Sequence, residues 1–125
     1  MVWVGRADGS PGQIFVITTD PSVNLTWNVY IDSYSEGEPV GTDELPPPGK
    51  YAPLRGFGKL WRTVPDVRQA LGWAISPEVG DQGTVLQFSG SQGFSWMIHR
   101  ASSDMVYILR AGSPANRAVD VSRLP

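Results

Sequence analysis

The chain has no cysteine among its 125 residues. That excludes disulfide staples, thiol nucleophiles and thiolate metal sites. Histidine is almost as scarce: His99 stands alone. A general base would have to be this imidazole or a carboxylate, and no set of imidazole ligands can assemble within one chain. Lysine appears only as Lys50 and Lys59; every other basic residue is arginine. No apolar run approaches the ~20 residues that a membrane-spanning helix requires, so membrane insertion is not expected. The start lacks a basic segment followed by an apolar one, so an exported chain would carry its signal outside this sequence. The net charge of −2 is too small a field to argue for nucleic acid or an anionic membrane as partner.

What the chain does contain is turn formers and tryptophan. There are 14 glycines, 11 prolines and five tryptophans. Short elements joined by many turns, with bulky aromatics, point to a β-rich protein rather than a helical bundle. Charge is distributed unevenly. Up to Pro48 a single base, Arg6, faces Asp8, Asp20, Asp32, Glu36, Glu38, Asp43 and Glu44, whereas basic residues dominate from Gly49 onward. Two halves that dock through complementary fields account for this most simply; an acidic partner for the basic half is the alternative.

Period-2 patterning marks the strands. VWV at residues 2–4 is a short one, and GRADGSPG after it is a hairpin loop. QIFVIT at 13–18 carries Ile14 and Val16 on one face and Phe15 and Ile17 on the other, so both faces are expected to be buried. Asp20-Pro21-Ser22 reads as a turn. Residues 24–31 alternate: Leu25, Trp27, Val29 and Ile31 face one way, and Thr26, Asn28, Tyr30 and Asp32 the other. These three strands form a meander over residues 1–35. The acidic, proline-rich stretch 36–52 is a linker or an ordered loop, and Pro46-Pro47-Pro48 stiffens it as polyproline II. Leu54, Phe57, Leu60 and Trp61 recur at helical spacing. A second helix starts near Thr63, Pro65 and Asp66, buries Val67, Ala70 and Leu71, and stops at Gly72. TVLQFS at 84–89, FSWMIH at 94–99 and MVYILR at 105–110 form a second meander, with Phe94, Trp96 and Ile98 on one face. Residues 113–125 lack periodicity and read as a tail. The expected class is α+β, mostly antiparallel β: two small meanders around a short helical segment, in one compact domain with a 53–112 helix-plus-meander portion. WVGRADGSPGQIFVI and WMIHRASSDMVYIL echo one another, too briefly to establish a duplication.

The order RGFGKLWRTVPDVRQALGWAISPE, then QFSGSQGFSWMIHR, then MVYIL, resembles the LGFP repeat, a module of bacterial secreted and cell-surface proteins. The resemblance covers about 55 residues, from Arg55 to Leu109. Leu71-Gly72-Trp73 takes the Leu-Gly-aromatic turn, and Glu78 the acidic position. Phe88, Ser89 and Gly90 take the strand end, and Trp96 the aromatic of the hairpin. The chain departs from the pattern in placing Ala74-Ile75-Ser76 before Pro77, and it holds one unit where the family has several in tandem. The resemblance implies a noncatalytic extracellular or cell-surface module that binds a polysaccharide or cell-wall polymer. A structural or assembly protein that self-associates or packs on neighbouring domains is the alternative, and a small hydrolase-like enzyme is third.

Few residues offer chemistry. His99 sits on a strand with no partner fixed by the sequence and reads as a structural, hydrogen-bonded histidine. Glu78 reads as a helix- or turn-capping carboxylate. Asp8-Gly9-Ser10 and Asp20 with Asn24 place oxygens in loops, but without the dense D-x-D-x-D-G spacing of a calcium site. No phosphate-loop, nucleophile-elbow or paired-carboxylate arrangement occurs, so no catalytic residue, metal or cofactor is expected. Tryptophan is the remaining candidate. Flat rings beside hydrogen-bonding side chains stack on sugar faces, whereas the same rings can fill a thin core. Trp61 and Trp73, on the helical segment and its stop, read as core. Trp3 with Arg6, and Trp96 with Arg100, near strand ends, are the candidate ligand-binding pairs.

Overall fold

A computed structural model describes residues 1–6, 8–20, 24–102, 105–112 and 117–120. The chain is mostly antiparallel β with two short helices. It divides into two compact units, one of Met1–Val16 with Val29–Glu78, the other of Ile17–Asn28 with Val79–Pro125. The strands β2 (Gln13–Asp20) and β3 (Asn24–Ile31) therefore each contribute residues to both. The turn expected at Pro21-Ser22 lies outside the described residues.

In the first unit β1 (Val2–Val4) runs antiparallel to β2, with Trp3 opposite Ile14, and β3 follows in the strand order. Ile14, Phe15 and Val16 are all buried, as apolar residues on both faces of β2 led one to expect. The helices α1 (Arg55–Thr63) and α2 (Pro65–Leu71) supply the rest of the core. Ile14, Val16, Leu60 and Val67 form a buried cluster, against which Met1, Tyr30, Phe57, Val64 and Leu71 pack. Burying side chains of this size stabilises by roughly 1.5–3 kcal/mol each. Ala70, expected in the stripe of α2, is exposed.

β3 departs from a simple inside-outside reading. Tyr30, on the face read as polar, packs on the first unit's core, while Ile31, on the apolar face, is exposed. Trp27 is buried and belongs to the second unit. A strand that serves two units need not keep one buried face along its length.

The helix boundaries have local causes. Gly58 sits where a Cβ would lie 2.5 Å from the Pro53 carbonyl oxygen, so close approach offsets its poor helix propensity. Thr63 does not cap α2. It ends α1, its hydroxyl donating to the Lys59 carbonyl, and Val64 takes the N-cap position with Pro65 following. Proline there has no amide hydrogen left unpaired. Gly72 closes α2 with φ 66° and ψ −156° and donates its N–H to the Arg68 carbonyl.

The stretch 33–52 is an ordered loop. The Val40 carbonyl accepts the Arg55 N–H at the start of α1, Lys59 Nζ donates to the Ser33 carbonyl and to Glu38, and Arg62 donates to the Pro39 carbonyl. Tyr51 bridges Ala74 through paired backbone bonds. Acidic residues of the first half meet basic residues of the second here: Glu38 pairs with Lys59, and Glu44 with Arg68. This is the complementary docking that the charge asymmetry suggested, realised within one unit.

In the second unit β4 (Gly83–Gly90), β5 (Gly93–Arg100) and β6 (Met105–Arg110) make the second meander. Residues read as a tail contribute a further strand, β7 (Arg117–Asp120), which pairs with β6 and with β3. The order β3-β7-β6-β5-β4 leaves β4 at the edge. Among the described residues of this unit, Trp27, Trp96, Ile98 and Leu109 are buried. Trp27 meets Trp96 edge to face at 5.4 Å and 87°, and its indole N–H donates to the Arg110 carbonyl.

Candidate functional site

Opposed residues of an antiparallel pair project from the same face, so register assigns the faces of the second meander. Val85, Gln87, Trp96, Ile98, Tyr107 and Leu109 share one face, and Trp96, Ile98 and Leu109 on it are buried. On the opposite face Leu86, Met97 and Ile108 form a row across three strands, flanked by Phe88 and Val106. None of these five is buried; Leu86 is 55% and Phe88 46% exposed. All eight residues of β4 are exposed, and among the described residues no strand lies along its outer edge. At the hairpin tip Phe94 is 55% exposed too, because β6 pairing stops at Trp96 opposite Leu109. From Gly83 to Ile98 there is no charged side chain. An apolar face beside an open, uncharged edge is the feature of this molecule most suited to interaction. Sequence patterning found these strands but not this surface. The signal was present in the long uncharged run, but edge position is decided by long-range pairing.

The two aromatic–arginine pairs fall in different units. Trp3 is half-exposed, and its ring lies against Gly12, where a Cβ would come within 2.5 Å of the indole. Its indole N–H donates to Asp32 Oδ2 at 2.9 Å, while Asp32 Oδ1 accepts the Tyr34 N–H. Arg6 is exposed in the loop that follows β1. Trp96, proposed from its sequence position as a stacking platform, is 5% exposed. Trp27 packs against it at a near right angle, and with so little of the ring exposed it does not present an open stacking platform. Arg100 is also committed. It binds Asp81 Oδ2 at 3.0 Å and the Tyr107 side chain.

Asp81 is the centre of a clip at the base of the β4–β5 hairpin. It accepts the Ser102 hydroxyl at 2.7 Å, the Arg100 guanidinium and the Gln82 N–H. The Ser102 bond first, and Arg100 next, hold its carboxyl below the usual range. An open hollow of about 510 Å³ lined by Gly80, Asp81, Gln82, Ala101 and Ser102 lies here, and neither His99 nor Glu78 lines it. His99 lies on β5 opposite Thr84 and Val106. Glu78 is exposed and pairs with Arg55 at 3.4 Å, an ion pair across 23 positions where a helix or turn cap was expected.

The aromatic pair of the helical segment is structural. Trp61 is buried, donates its indole N–H to the Gly72 carbonyl at 2.8 Å, and packs on Trp73 with centroids 4.9 Å apart. Arg68 lies 4.1 Å over the Trp61 ring and grips Glu44 with both terminal nitrogens, at 2.7 and 3.0 Å. That guanidinium holds the Glu44 carboxyl below its usual range. Asp8 Oδ1 accepts the Ser10 N–H, which makes it a turn former. No cluster of His, Asp or Glu that could hold a metal occurs among the described residues; the Asp20 and Asn24 side chains lie outside the described part of the structure.

Comparison with known protein families, curated proteins and solved structures finds no match to this chain.

Proposed function

We propose that this chain is a noncatalytic assembly module, which packs the apolar face of β4, β5 and β6 against another protein surface. The observation that carries this is the row Leu86, Met97 and Ile108 with Phe88, in which Leu86 and Phe88 are exposed and Met97 and Ile108 half-buried, on a sheet whose β4 edge is open among the described residues. Isolated exposed apolar residues are ordinary, but a contiguous apolar patch beside an unpaired strand is a recurrent feature of association surfaces. Placement of the module at a bacterial cell surface rests on the likeness of Arg55–Leu109 to the LGFP repeat.

A second reading, glycan or cell-wall polymer binding, is favoured by Trp3, half-exposed and oriented by Asp32 with Arg6 nearby in sequence. One experiment separates the two. The purified chain is incubated with insoluble peptidoglycan and polysaccharide, and its light scattering is followed with concentration. Association in solution without retention on polymer is expected. Retention that Trp3→Ala abolishes, with no association in solution, would replace the assembly reading by the glycan one.

A further inference from the structure

Resting on the assembly reading, we propose that the occupant of the β4 edge is β4 of a second copy of this chain. The two strands run antiparallel about a two-fold axis through Gln87. Three features point to self-pairing. The edge is eight residues long and continuous, enough for a full ladder between two sheets. It carries none of the charges or prolines by which edge strands usually resist pairing, and two identical copies meet without like-charge repulsion because both are uncharged. Its side chains are also self-complementary in one register. With Gln87 opposite Gln87 of the second copy, Leu86 of each copy stands opposite Phe88 of the other. Both residues lie on the exposed apolar face, and opposed residues keep the same face. The two apolar rows then merge into one surface across the axis. On the other face Val85 meets Ser89, and the two Gln87 amides can bond to each other. A shift by one residue loses the Leu–Phe opposition, sets Leu86 or Phe88 opposite Gln87, and turns the apolar row of the second copy to the other face of the joined sheet.

The absence of native cysteine makes the test direct. In the full chain, Gln87→Cys introduces the sole thiol at the axis, where opposed Cα atoms of an antiparallel pair lie ~4.5–5.5 Å apart, within disulfide reach. Thr84→Cys places it opposite Gly90, away from its own copy. Sedimentation velocity over a range of concentrations accompanies mild oxidation and non-reducing electrophoresis. The expected result is a dimer, rapid cross-linking of the Gln87→Cys variant, little of the Thr84→Cys variant, and a folded monomer for Leu86→Lys/Phe88→Lys. Both lysines stand at exposed positions, and an unchanged circular dichroism spectrum would verify that the fold survives. Dimers that cross-link better at position 84, or at neither position, would overturn this pairing while leaving the assembly reading intact. A monomer at every concentration would overturn this pairing too; polymer retention that Trp3→Ala abolishes is what would overturn the assembly reading.

Discussion

Single residues in this chain differ sharply in what they can tolerate, and backbone and burial say which way. Gly72 has φ 66° and ψ −156°, a region essentially reserved for glycine, where a side chain costs roughly 1–3 kcal/mol. Its carbonyl also receives the Trp61 indole N–H, so a shift there would disturb the helical core. Gly72→Ala should lower stability by about that amount in urea denaturation. Gly80→Ala, where an added Cβ meets nothing within 4 Å, should change it by less than ~0.5 kcal/mol. The tryptophans divide in the same manner. Trp96→Ala removes a buried ring and its edge contact with Trp27, a loss of about 3–5 kcal/mol. Trp3→Ala removes a half-exposed ring and one exposed hydrogen bond and should cost far less. Thermal denaturation of the two variants side by side tests this, and equal losses would contradict the environments described. Any function lost in Trp96→Ala therefore reports unfolding before it reports a binding site.

Elements were legible in the sequence where local pattern decides, and illegible where long-range pairing does. VWV, residues 24–31 and MVYILR were located to the residue because alternation and flanking turns are local signals. Gly72 was legible because a glycine ends a short apolar stripe. β7 was not: its four residues carry no periodicity and become a strand only between β6 and β3. The burial of Trp96 has no local signal for a related reason, since Trp27, its partner, is 69 positions distant and on a strand that serves two units. Loop 33–52 could be read as acidic, and the charge asymmetry as complementary docking, but not which pairs form, because that depends on which bases α1 and α2 present. Its docking makes the element sensitive to acid. Lys59 holds Glu38, and Arg68 holds Glu44, below the ordinary carboxylate range; Ser102 and then Arg100 do so for Asp81. A carboxyl whose pKa is lower in the folded than in the unfolded chain stabilises fully above its unfolded value, about 4. That contribution is lost as pH falls through the folded value, because the unfolded chain binds protons first. The melting temperature should therefore fall as pH is lowered from about 5. Glu44→Gln with Asp81→Asn should melt lower than the parent near neutrality and show a shallower decline. A parallel decline in parent and variant would exclude these carboxylates as its source.

At the scale of the whole molecule, exposed apolar side chains occur in both units, but in the β4–β5 hairpin up to Ile98 they stand without charged neighbours in sequence, and this has a consequence for association. The ion pairs of the first unit are exposed to differing degrees; in Arg55 with Glu78 and Arg68 with Glu44 both partners remain substantially open to water. Pairs of this kind contribute little individually and are screened by salt. The β4–β5 hairpin up to Ile98 has no charge to screen. Contacts made by that surface must draw on apolar burial and backbone hydrogen bonding, neither of which responds strongly to simple electrolyte. The dissociation constant of the proposed dimer should thus change by less than about threefold between roughly 0.05 and 0.5 M sodium chloride, whereas a contact carried by several ion pairs would weaken markedly over this range. Sulfate, which is excluded from apolar surface, should tighten it. Sedimentation equilibrium across a salt series measures both effects. A dimer that dissociates tenfold more readily in sodium chloride would instead be held by the basic residues of α1 and α2 against the acidic loop of another copy, an exchange of the contacts that Lys59 and Arg68 now make within their own chain. Leu86→Lys/Phe88→Lys would leave that dimer intact and Arg68→Gln would weaken it, so the salt series and the two variants together identify which surface of the molecule does the pairing.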